Sequence, residues 1–144
     1  MAIKNVLVVD DSKTELMFLS DLLQKRGFTA RTAENAEQAM QALAASKPDL
    51  ILMDVVMPGQ NGFQFTRAIV RNPDYADIPI IICTSKNQET DRVWGLRQGA
   101  RDYITKPVDP AELFANITAL RSASRRRTSF ITATSSVSLA AAAF

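Results

Sequence analysis

The chain has 144 residues and a single cysteine, Cys83, which excludes a disulfide framework and makes a reduced, structural thiol the expected state. With 47% hydrophobic residues it can bury the core of one compact domain, while no apolar run approaches the length of a membrane span. The net charge of +2 is unevenly spread: all 15 acids precede residue 121, and Arg121, Arg125, Arg126 and Arg127 sit in a C-terminal stretch that carries no acid.

The opening "MAIKNVLVVDDS" meets acids too early for a signal peptide, which points to a cytoplasmic protein. Within it, "VLVVD" (6–10) reads as a buried strand. Leu16, Leu19, Leu22 and Leu23 then fall on one helical stripe that stops at Gly27. "FTART" (28–32) is a second strand, and Ala36, Ala39, Met40 and Leu43 mark a second helix. "LILMD" (50–54) is a third strand, with Met53 in the core and Met57 in the following turn, and Phe63, Thr66, Ile69 and Val70 mark a third helix. The pattern continues through "IPIIICT" (78–84), a helix from about Gln88 to Gln98, the strand "DYIT" (102–105), and a last helix carrying Leu113, Ile117 and Leu120. That helix is expected to end near Ser122, where its apolar stripe stops.

Near-continuous apolar strands separated by helices predict a parallel sheet covered on both faces. The fold class is therefore α/β: a flavodoxin-like, doubly wound (βα)5 domain with strand order 2-1-3-4-5 over residues 1–122. Residues 123–144, rich in Ser, Thr and Ala, read as a basic tail outside the core.

In a sheet of this order ligands bind beyond the carboxyl ends of the strands, in the crevice between the first and third. Those ends carry Asp10 and Asp11, Asp54, Thr84 and Ser85, and Thr105 and Lys106. Singly, each has a plain explanation. Asp54 can end a strand by meeting water, Ser12 can cap a helix behind Asp10 and Asp11, and Lys106 can be solvated. Together, three carboxylates in one crevice repel one another unless a cation joins them or a pKa rises. Oxygen donors in a chain without histidine point to Mg²⁺, or Mn²⁺, over Zn²⁺. Lys106 and the Thr84 hydroxyl would face the same pocket and suit an incoming phosphoryl group, which makes Asp54 a candidate for phosphoryl chemistry.

The ordered set "VLVVDDS", "DLILMDVVMPGQNG", "PIIICTS" and "GARDYITKP" resembles the receiver domain of two-component response regulators over residues 4–120. The resemblance implies that Asp54 is the phosphoacceptor and that Asp11, Asp54 and the main-chain carbonyl of Val56 bind Mg²⁺, with Asp10 helping through water. It implies that Thr84 and Lys106 hold the phosphoryl oxygens, that the peptide bond before Pro107 is cis, and that Thr84 and Tyr103 form a switch. Phosphorylation would then draw Thr84 inward and vacate space for Tyr103. This changes the face made by the fourth helix, fifth strand and fifth helix, where Trp94 is a candidate contact for a state-dependent protein target. The donor would be a histidine kinase of a chemotaxis-like system. The segment "NQETDRVWGLRQGARDYITKPV" looks most like receivers of type IV pilus twitching motility, and too few residues follow Leu120 for an output domain, as in a stand-alone receiver.

Two positions depart from the family's usual pattern. Val56 and Lys86 stand where side chains tune dephosphorylation, and here one is apolar and the other cationic. A haloacid-dehalogenase-type phosphatase would need a second acid where Val56 stands, so turnover as an enzyme is not expected. A phosphate sink without a docking output is the other alternative. Four arginines without interleaved aromatics do not make a nucleic-acid surface, and neither a nucleic-acid nor a membrane partner is expected.

Overall fold

The computed structural model describes residues 2–57 and 61–133, with side chains described as far as Arg121. The elements are β1 (Asn5–Val9), α1 (Lys13–Lys25), β2 (Thr29–Ala33), α2 (Ala36–Ala45), β3 (Leu50–Met53), α3 (Gly62–Arg71), β4 (Ile80–Thr84), α4 (Glu89–Arg97), β5 (Asp102–Thr105) and α5 (Pro110–Ala133). The proline-marked turn at Pro58 and residues 134–144 lie outside the described residues.

All five strands join one sheet in the order β2-β1-β3-β4-β5, and every pairing is parallel. Alternate residues of each strand point to opposite faces and so build two cores. On one face Val6, Val8, Leu52 and Ile81 pack with Leu19 of α1 and Leu113 of α5. On the other, Leu7, Ile51, Met53 and Ile80 pack with Leu43 of α2 and Ile69 of α3. Each fully buried Leu or Ile contributes about 1.5–3 kcal/mol, so these two layers carry the stability of the domain. A third, smaller cluster joins Val55, Phe63, Ile82, Ala100 and Tyr103. Met57, expected as a turn residue, is buried among the second group, which also holds Met53, Phe65 and Ile69.

Helix caps follow the sequence. Ser12 Oγ accepts from the Glu15 N–H at 3.3 Å, Asn35 caps α2 through the Gln38 N–H at 2.8 Å, and Asn61 caps α3 through the Phe63 N–H at 2.8 Å.

The last helix differs from expectation. It is helical through Ala133 and does not end near Ser122. The loss of an apolar stripe does not stop a helix when the following Ser, Ala and Arg are permissive and no Gly or Pro intervenes.

Candidate functional site

The sheet's last hydrogen bonds set the site. The Asp10 N–H donates to the Ala33 carbonyl at 3.0 Å, the Asp54 N–H to the Val9 carbonyl at 3.0 Å, and the Lys106 N–H to the Thr84 carbonyl at 2.8 Å. Each of these three residues is thus the first beyond its strand. The ladder holds its main chain while its side chain enters the crevice.

The carboxylates of Asp10, Asp11 and Asp54 have oxygens within 4.8 Å of one another. Asp10 and Asp54 are buried and Asp11 is exposed at the mouth. Lys106 Nζ donates to Asp10 Oδ2 at 2.6 Å and to Asp54 Oδ2 at 3.1 Å, joining the two buried acids. The remaining oxygens are held by main chain: Asp10 Oδ1 accepts from the Ser12 N–H, and Asp54 Oδ1 from the Val56 N–H, both at 3.0 Å. Burial pushes the Asp10 carboxyl up against the opposing pull of Lys106 and the Ser12 N–H. Burial would lower the Lys106 ammonium, but the hydrogen bond to Asp10 and the charge of Asp54 outweigh it and hold the ammonium above its ordinary value.

Gly62 shapes the loop after Asp54, and the sequence reading did not single it out. A Cβ there would lie 2.4 Å from Val55 Cα and 2.7 Å from the Asp54 carbonyl oxygen, so only glycine lets α3 start this close to the acid. A glycine directly after a helix-capping Asn61 was the available signal. The backbone of Val56 is held beside Asp54 by its N–H bond to Asp54 Oδ1, and the residue is 45% exposed.

Thr84 is fully buried at the end of β4, and its Oγ1 accepts from the Lys86 N–H at 3.4 Å. Tyr103 is buried, with its hydroxyl donating to the Lys86 carbonyl. The Lys106–Pro107 peptide bond is cis. Lys86 has an exposed side chain, and Trp94 is half exposed on α4. Cys83 lies in the core with its thiol pushed up to about 12 by burial, which leaves it inert as a nucleophile.

Residues 6–118 match the family described as "Response regulator receiver domain". The chain belongs to this family. Among relatives, the receiver is 50% identical over 115 residues to Protein PilH of Pseudomonas aeruginosa, a match covering 80% of this chain and 95% of PilH. It is 40% identical to the phosphate regulon transcriptional regulatory protein PhoB of the same organism, covering 81% of this chain but 51% of PhoB. The structure of the Vibrio cholerae chemotaxis protein CheY4 superposes with a TM-score of 0.76 at 30% identity, covering 82% of this chain and 98% of that one.

Receiver domains bind Mg²⁺ at an acidic pocket, and this receiver has a cluster of three acids, Asp10, Asp11 and Asp54, beyond the ends of β1 and β3. The donor set fits a hard cation: clustered carboxylate oxygens, one of them exposed at the mouth, with no thiol or imidazole among them. No helix among the described residues is long and apolar enough to cross a membrane.

Proposed function

We propose that this receiver accepts a phosphoryl group from a histidine kinase onto Asp54 and signals through a changed protein-docking face, without enzymatic turnover. The observation that carries this reading is the bridge made by Lys106 between Asp54 and Asp10 inside the acidic cluster. A carboxylate oxygen of Asp54 attacks phosphorus, the new P–O bond forms, and the P–N bond of the phosphohistidine donor breaks. Asp10, Asp11, Asp54 and the Val56 carbonyl are the residues that would hold Mg²⁺, with Mn²⁺ a substitute. The bound cation supplies charge neutralisation for the transferring group. Lys106 exchanges its contacts with the carboxylates for the phosphoryl oxygens, and the Thr84 hydroxyl donates to another, so fixed charge and dipole replace water around the group.

The test is incubation of the purified protein with acetyl phosphate and Mg²⁺. One hydroxylamine-labile phosphoryl group per chain, absent from Asp54→Asn, is the expected result. Steady hydrolysis of an aryl phosphate, or undiminished labelling of Asp54→Asn, would sink the reading.

The identity to PilH over nearly its whole length supports a place in pilus and twitching-motility control, with a chemotaxis-like kinase as donor, in the cytoplasm. Residues 123–144 are appended to the domain and are not needed for its chemistry. A pull-down with and without beryllofluoride would separate a docking output from a phosphate sink, since only docking gives a state-dependent partner.

A further inference from the structure

Helix α4 packs in an unusual way. Its apolar residues Val93, Trp94 and Leu96 are exposed, and the only buried residue along Glu89–Arg97 is Gly95. The helix meets the domain at a point where it has no side chain. A Cβ on Gly95 would lie 2.9 Å from Ile82 Cδ1 and 3.1 Å from both Cδ2 and Cε2 of Tyr103. Those separations are below the roughly 3.5–4.0 Å at which carbon atoms attract.

The ring has little room to retreat. Its hydroxyl is tied to the Lys86 carbonyl at 2.9 Å, and it belongs to one buried cluster with Val55, Phe63 and Ile82. Ile82 is itself fully buried in a central strand. Val55 follows Asp54 directly, so the cluster reaches from the acidic site to α4.

We propose that Gly95 is the positioning residue for Tyr103: the side chain missing from α4 is the seat of the buried ring, so the ring and the helix that carries Trp94 are positioned together. The inference deepens the switch reading of Tyr103 and rests on it. When the ring leaves, the space over Gly95 opens and α4 can settle toward the sheet; when the ring returns, α4 is held off at its present height. The exposed apolar residues of α4 move with it, and side-chain interlocking at Gly95 offers no resistance, because there is none.

The test places 3-fluorotyrosine in a Tyr75→Phe protein, which leaves Tyr103 as the one tyrosine. In the parent, the ¹⁹F resonance should show a small H₂O/D₂O isotope shift, as for a buried ring. In Gly95→Ala that shift should at least double, while acetyl-phosphate labelling of Asp54 stays within about twofold of the parent. An isotope shift as small as the parent's would overturn the proposal. Should Gly95→Ala not fold, the same substitution is made with Tyr103→Ala: recovery of folding identifies the ring as the obstacle, and continued failure overturns the proposal. Absence of Asp54 labelling in parent and variant alike would count against the phosphoacceptor reading and leave the ¹⁹F result standing.

Discussion

The hydroxyl of Tyr103 donates to the main-chain carbonyl of Lys86 at 2.9 Å. The N–H of Lys86 donates to Thr84 Oγ1 at 3.4 Å, so one peptide segment between β4 and α4 touches both Thr84 and Tyr103. The ring of Tyr103 is buried in this structure, where the residue is only 3% exposed.

That burial has a measurable pH signature. Burial, followed by the charges of Asp91 and Asp54, pushes the phenol from 10.0 up to about 12. The folded state therefore holds its proton where the unfolded state has lost it. The resulting stability is complete below the unfolded value and is lost as pH rises toward the folded one. Between about pH 9 and pH 11 the parent should lose about 1 kcal/mol that Tyr103→Phe does not lose. Urea unfolding of both proteins across that window measures the difference, and parallel curves would contradict it.

Replacing Lys106 by Met leaves Asp10 and Asp54 in the crevice without their shared ammonium. Breaking a buried pair from one side is costly, and a loss of about 2 kcal/mol or more is expected at neutral pH. The loss should shrink in acid as the carboxylates protonate, and added Mg²⁺ should restore more stability to the variant than it adds to the parent. Thermal melts at two pH values, with and without Mg²⁺, decide the matter; a variant that Mg²⁺ stabilises no more than the parent would refute it.

Asp11 is the exposed member of the acidic cluster, and Asp11→Ala should weaken Mg²⁺ binding by about tenfold or more while leaving the fold intact. Phosphorylation should slow in parallel for want of charge neutralisation. Calorimetric titration reads the affinity directly, and an unchanged value would remove Asp11 from the ligand set.

Phosphoryl lifetime is expected to be long. In-line attack needs a positioned water, and Val56, exposed beside Asp54, offers it no hydrogen bond. Lys86 is a cation that cannot accept the water's proton. Val56→Asn should shorten the lifetime, and adding Lys86→Glu should shorten it further. The readout is loss of label in excess Mg²⁺ after donor removal. A double variant as long-lived as the parent would show that other groups set the rate.

A chain cut after Ala123 should label and melt like the parent. Leu113 and Ile117 of α5 pack in the core, and Arg121 donates to the Ile3 carbonyl at 2.9 Å and lies over the Phe28 ring, so among the described residues the contacts that anchor α5 precede the cut. A melting temperature lower by several degrees would mean that residues beyond Ala123 contribute to the domain.

The alternation of apolar strands with helical stripes was enough to determine a five-stranded parallel sheet, because the period of buried residues is local information that any window of the chain carries. Strand ends such as Asp10 and Asp54 were legible for the same reason: each is the polar residue that stops an apolar run. Other features depended on distances between segments far apart in sequence. The bridge from Lys106 to both Asp10 and Asp54 exists only once β1, β3 and β5 lie in one sheet. The buried seat of Tyr103 and the burial of Met57 depend on what packs over them, which no local period encodes. Gly62 and Gly95 were the least visible, since their contribution is an absence. A missing side chain matters only where another segment occupies the space, and tertiary packing alone decides where that is.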